Sequence, residues 1–259
     1  MRDVVVTEFW KLRRSGVTWT TAGVIVVAVL GAALLTWIVR DPARAASLGL
    51  LGAKANLAGL EATWPAFGSY LTAIAGGGGM LLLAFVVTYL VGREYVDDDT
   101  SKNMLGLPVP RWRFLAAKLL VAAVWWAVLV ILLLITGLMA AWTLGLPGMN
   151  TGTVLSTVGA VLAAAGASFL LVPVCAWITV ASRSYLAALG FALGMLLLGN
   201  LIGHTGWATW FPWSIVPMLT LMSGSVPTPL PWTSFLVLGL TFAAGTAGAV
   251  HRLNTADNP

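Results

Sequence analysis

Few residues in this chain could carry chemistry, and their spacing rules out most catalysis. A phosphate-binding loop needs glycines followed by Lys and Ser or Thr, so that amides and an ammonium cradle the phosphates. Gly76–Gly79 has no Lys behind it and falls inside an apolar run, where consecutive glycines loosen a helix or let another approach closely. Metal sites and intramembrane proteases need clustered His, Asp, Glu or Cys at helical spacing. His204 and His251 fall on opposite predicted sides of a membrane, and Cys175 stands alone in an apolar run as a buried structural thiol with no disulfide partner. No acidic or basic residue occurs between Lys118 and Arg183, whereas proton and ion relays usually depend on intramembrane charges. Thr136, Ser168 and Thr179 are expected to bond backbone or a neighbouring helix.

Polar chemistry is concentrated in one stretch, Gly92–Lys118, with Arg93, Glu94, Asp97, Asp98, Asp99, Lys102, Arg111, Arg113 and Lys118. Asp99 or Thr100 can cap a short helix over Ser101–Leu105 that Gly106 and Pro108 end, and Pro110 suits the first turn of the next helix. A docking element for a soluble partner and a solvated loop that only fixes topology both fit this pattern.

The elements that must position this stretch are membrane spans. The chain has 259 residues, 59% hydrophobic and 9% charged, with a mean hydropathy of +0.93. Soluble domains average about 25% charged residues, so lipid is the solvent that fits. Six segments are long enough for a hydrocarbon core of ~30 Å: Val17–Val39, Ser69–Val91, Ala117–Thr143, Val154–Ala181, Tyr185–Leu201 and Trp232–Val250. Backbone groups in lipid must be bonded within their own segment, so the spans are helices. Val17–Val39 exceeds a signal core of ~7–15 residues and reads as an uncleaved first span. The predicted fold is an all-α integral membrane protein: six transmembrane helices and an N-terminal interfacial helix, one transmembrane domain over 1–259.

With a cytoplasmic N-terminus, the inner segments hold 11 of the 14 Lys and Arg residues and the outer ones only Arg40, Arg44 and Lys54. That asymmetry places both termini inside. The net charge of +5 therefore marks membrane topology and not a nucleic-acid surface.

Residues 1–15 place Val5, Phe9 and Leu12 on one side of a helical wheel and Thr7, Lys11 and Arg14 on the other, with Arg13 nearer the apolar side. This fits a helix lying along the leaflet, with an ordinary charged flank as the alternative. Residues 203–231 form an external aromatic segment with Trp207, Trp210, Phe211 and Trp213, where indoles favour the interface. These four residues are candidates for an external gate, or only for an anchoring belt. Residues 40–67 form a longer external loop.

The arrangement Glu94-Tyr95, Thr100, Lys102, Leu105, Pro108, Arg111 and Lys118 resembles the cytoplasmic loop of type-2 ATP-binding-cassette export permeases, and the layout is similar to their bacitracin and lantibiotic-immunity subgroup. Glu8-Phe9, Lys11-Leu12, Arg13 and Phe211-Pro212-Trp213 with Pro217 agree with it. The resemblance implies that residues 92–118 dock on an ATPase subunit and that the turn Ser182-Arg183-Ser184 supplies a second contact. The coupling candidates are then Glu94, Tyr95, Thr100, Lys102, Leu105, Pro108, Arg111, Lys118 and Arg183. It further implies a P-loop ATPase partner carrying ATP and magnesium, no cofactor in this chain, a second permease copy, and a bacterial plasma membrane.

The expected function is the membrane subunit of an exporter moving an amphipathic compound, such as a peptide antibiotic or drug, by ATP-driven alternating access. A cavity lined by Trp and Met would suit many such ligands. The alternative is a membrane scaffold or sensory subunit that transports nothing. A membrane-embedded enzyme lacks the clustered polar groups it would need.

Overall fold

The computed structural model describes residues 2–41, 61–96, 110–220 and 230–255. Helix α1 (Arg2–Arg14) precedes α2 (Gly16–Val39). Next come α3 (Trp64–Ala73), a π-helical turn (Ile74–Gly78) and α4 (Gly79–Val96). Then follow α5 (Arg111–Leu144), α6 (Thr151–Ser182), α7 (Tyr185–Ile202), a 3-10 turn (Ala208–Trp210), α8 (Pro212–Leu219) and α9 (Trp232–Thr255). Six helical units are long and apolar enough to span: α2, the continuous α3–π–α4 unit, α5, α6, α7 and α9. The six predicted spans and the N-terminal helix are all present among the described residues.

Two starts differ from expectation. The second span begins at Trp64 and not near Ser69, because the Thr63 hydroxyl accepts from the Ala66 amide and Pro65 fits the first turn. The third begins at Arg111 and not at Ala117, with Pro110 as its N-cap residue. At 34 residues it is about 51 Å long and must project beyond a core of ~30 Å.

The second span is the centre of the bundle; most of its side chains from Trp64 to Val91 are buried. By contrast α2 buries only Thr21, Ile25, Val29 and Thr36, a single stripe, and shows Trp19, Val27, Leu30 and Leu34 outward. Such an outward face needs lipid. Two adjacent indoles of α5 tie three spans together. The Trp125 Nε1 donates to Thr21 Oγ1 at 3.1 Å and the Trp126 Nε1 to the Ala165 carbonyl at 3.0 Å. Helix α9 lies against α6 where Gly245 meets backbone: a Cβ there would fall 2.6 Å from the Val174 nitrogen. Pro173 within α6 has no amide to donate, and the close approach of Gly245 occurs at that point.

The glycine run expected to loosen a helix or admit a neighbour does both. Its first three residues complete the π turn, where the ordinary carbonyl pairing of an α-helix is interrupted. The Ser168 hydroxyl of α6 donates to the Gly76 carbonyl at 3.0 Å, satisfying an acceptor that lipid could not. A Cβ on Gly76 would meet Thr220 Cγ2 at 2.3 Å, and one on Gly79 would meet the Trp126 ring at 2.4 Å.

Candidate functional site

On the face that carries α1, the geometry starts from a helix that is amphipathic in an unexpected register. The side turned inward is Leu12 with half-buried Val5, and between them Glu8, which is 4% exposed. Phe9, expected to share the apolar side, is instead exposed, and Arg13 lies in the open with its guanidinium 5.6 Å from the Trp10 ring centroid. Glu8 is inside because it has a partner there. Lys118 Nζ donates to Glu8 Oε2 at 3.0 Å and to the Leu90 carbonyl at 2.6 Å, and Lys11 Nζ donates to Glu8 Oε1 at 3.0 Å.

Three elements therefore meet on one ammonium: α1, the end of the second span and the start of the third. Burial would raise the Glu8 pKa. The Lys118 charge and hydrogen bond, with help from Lys11, outweigh it and hold the carboxyl below its ordinary value. The resemblance names both Lys118 and Glu8, but nothing in the sequence pairs them. The available signal was an acid at the 5–8–12 spacing of a helix's inward stripe.

Arg111, the first residue of α5, donates through Nη1 to the Leu253 carbonyl near the end of α9. The last carbonyls of a helix lack internal donors, so this guanidinium caps the sixth span. Arg183 closes α6 in the left-handed region (φ 51°), its amide bonded to the Thr179 carbonyl. Ser184 then caps α7 by accepting from the Ala187 amide. The Tyr185 ring packs on Gly92, where a Cβ would meet it at 2.6 Å. The end of the second span and the turn between the fourth and fifth are thus adjacent.

Of the other coupling candidates, Glu94 and Tyr95 belong to the last turn of α4. Thr100, Lys102, Leu105 and Pro108, together with the short helix expected at Ser101–Leu105, lie outside the described residues.

At the opposite face, Arg40 donates to the Leu144 carbonyl, and the Trp64 amide donates to the Pro147 carbonyl at 2.9 Å. The aromatic segment divides in two. Trp207 and Trp210 are exposed, and Phe211 and Trp213 are half-buried. Trp213 packs edge-on to Phe191, with centroids 5.6 Å apart. Its carbonyl lies over Gly199, where a Cβ would be only 2.3 Å away. Helix α8 continues inward: Val216 and Thr220 reach Gly76, 12 residues and about 18 Å along the second span from Trp64. Residues 211–220 are therefore folded into the bundle from the face opposite α1.

Two neighbouring clefts open there. One of about 300 Å³ is lined by Ser69, Thr72, Ser156, Thr157 and Thr220 among others, and one of about 530 Å³ includes Glu61, Thr63 and Tyr70. Hydroxyls line them, and neither has the Trp and Met walls that were expected. Among the described residues, no three His, Cys, Asp or Glu side chains come together as metal ligands.

The family described as ABC-2 family transporter protein matches residues 4–199 of this chain. The bacitracin transport permease protein BCRB of Bacillus licheniformis is 24% identical over 177 residues, covering 66% of this chain and 82% of that protein. No solved structure matches. The match spans α1 and nearly all of the first five spans, including the Glu8–Lys118 junction and the Gly92–Tyr185 contact. The resemblance drawn from the central loop is thereby established: this chain belongs to the ABC-2 family of transporter proteins and is a membrane permease subunit of an ATP-binding-cassette exporter.

Proposed function

We propose that the permease moves an amphipathic compound such as a peptide antibiotic outward by alternating access, with ATP and magnesium bound and hydrolysed on separate ATPase subunits that dock on the α1 face. The observation that carries the reading is the contact of Tyr185 with Gly92, which joins the two chain segments that the family uses as ATPase contacts. Glu94, Tyr95, Thr100, Lys102, Leu105, Pro108, Arg111 and Arg183 make up the coupling surface, and Lys118, buried behind it, ties α1 to the second and third spans. A second permease copy completes the path.

In this reading the α1 face is cytoplasmic, because 11 of the 14 basic residues belong to segments on that side, and the membrane is a bacterial plasma membrane. Exposed Trp207 and Trp210 anchor the exit side in the outer interface, and Phe211 and Trp213, turned into the bundle, are the candidates for closing it. The similarity to a bacitracin transport permease supports the substrate class.

The test is reconstitution of the permease with an ATP-binding-cassette ATPase that co-purifies with it. Stimulation of ATP hydrolysis by bacitracin or a related peptide is the expected result. Hydrolysis unmoved by any amphipathic peptide would overturn the transport reading. Cysteine labelling tests the orientation: Asp98→Cys should react only from the cytoplasm and Ala58→Cys only from outside.

A further inference from the structure

An apolar groove of about 380 Å³ runs between α5 and α9 on the outside of the bundle, with α6 as its floor. Leu115, Leu119 and Ala123 form one wall, Phe242 and Val250 the other, and Phe169 the base. Thr246 is the polar residue in the lining, and its hydroxyl is already committed to the Phe242 carbonyl at 2.8 Å. The groove therefore asks nothing polar of its occupant.

Its position and length narrow the choice further. The α5 wall extends from Trp112 to Ala123, 11 residues or about 16 Å. One leaflet's share of the hydrocarbon core is ~15 Å. The groove starts in the first turn of α5 and runs toward the bilayer centre, over a length within the reach of one acyl chain.

The mouth is basic. Arg111 bridges the two walls by donating to the Leu253 carbonyl. Arg252 precedes Leu253 in the last turn of α9 and is exposed, and Arg113 is exposed with its guanidinium 5.6 Å from the ring centroid of Trp112. Trp112 is itself part of the groove wall and 48% exposed, an indole at headgroup level with an apolar body and a wet tip. Basic residues at this depth attract anionic headgroups.

We infer that this groove is a binding site for one anionic phospholipid of the leaflet on the α1 side. An acyl chain lies along Leu115, Leu119 and Phe242, and the phosphate lies against Arg113 and Arg252. The bound lipid forms part of the sixth span's packing, since its chain fills the seam between α5 and α9.

Native mass spectrometry of the full-length permease, titrated with dioleoylphosphatidylglycerol or dioleoylphosphatidylcholine, tests this. Wild type should retain one phosphatidylglycerol per protomer in preference to phosphatidylcholine. The double variant R113Q/R252Q should lose roughly tenfold in phosphatidylglycerol affinity, leaving phosphatidylcholine unchanged. Ala123→Trp, which fills the deep end, should lower retention of both lipids. Should that variant fail to fold, a phosphatidylglycerol with a diazirine at its chain terminus answers the same question in wild type by cross-linking to peptides containing Ala123 or Phe242. Equal retention by wild type and R113Q/R252Q, cross-links elsewhere, or a disulfide between two copies through Leu120→Cys would each overturn the assignment.

Discussion

Glu8 and Lys118, 110 residues apart, form a 3.0 Å ion pair with both side chains almost fully shielded. Breaking a buried pair by removing one partner costs about 3–5 kcal/mol, because the other charge is left without compensation. Lys118→Met should therefore release α1 from the bundle. Leu12, 1% exposed in the native protein, reports this: Leu12→Cys should be inert to maleimide alone and reactive when combined with K118M. An inert double variant would show that α1 is held by its apolar stripe.

The same pair sets a pH response. The native Glu8 pKa is depressed, so its stabilisation is complete above the unfolded carboxylate value of about 4.3 and is lost as pH falls through the lowered native value. Maleimide reactivity of Leu12→Cys, taken at each pH relative to a fully exposed cysteine to remove the thiol's own ionisation, should stay flat from pH 8 to pH 5 and rise only on further acidification. In Glu8→Gln that rise should be absent.

Ser168→Ala removes the hydroxyl that serves the Gly76 carbonyl in the π turn. An unsatisfied buried acceptor costs about 1–3 kcal/mol. The expected outcome is a lower unfolding midpoint in detergent, with Thr136→Ala as a milder control because Thr136 bonds only within its own helix.

Two glycines of α9 should respond oppositely to Ala. Gly245→Ala drives a methyl into the backbone at Val174 and should destabilise by about 1–3 kcal/mol. Nothing lies within 4 Å of a Cβ on Gly239, so Gly239→Ala should be neutral or stabilise by about 0.5–1 kcal/mol through helix propensity. Thermal unfolding in one detergent compares them directly.

Charge reversal at Glu94 or Arg111 should reduce substrate-stimulated ATP hydrolysis in the reconstituted complex while membrane insertion is unchanged. Arg111→Glu should have the larger effect, because it also removes the donor at the end of α9. Wild-type hydrolysis in both variants would remove these residues from the coupling surface.

The spans were legible because lipid imposes a length and forbids charge, and both are visible residue by residue. Local caps were less legible: Thr63-Trp64-Pro65 starts a helix five residues before the hydropathy signal becomes continuous. The candidate site was legible only where its residues are consecutive. Arg183 and Lys118 were recognisable from the resemblance. Glu8 was named with them, but its role was not legible, since an acid on an apolar stripe acquires meaning only from a lysine in another span. Trp213 was grouped with Trp207 and Trp210 because all three are indoles within seven residues. Composition does not say which of them turns inward to Phe191.

The π turn at Ile74–Gly78 also has a bearing on how this protein can change over time. An α-helix advances about 100° per residue, and the wider turn gives α3 and α4 independent rotational settings. Loss or gain of one glycine in the run from Gly76 to Gly79 would leave the length of the second span almost unaltered. It would, however, swing Trp64, Phe67 and Leu71 as a group away from the faces they now meet. Length variation in this run therefore amounts to a twist between the two leaflet halves of the protein, and substitutions at Ser168, Val216 and Thr220 would have to accompany it.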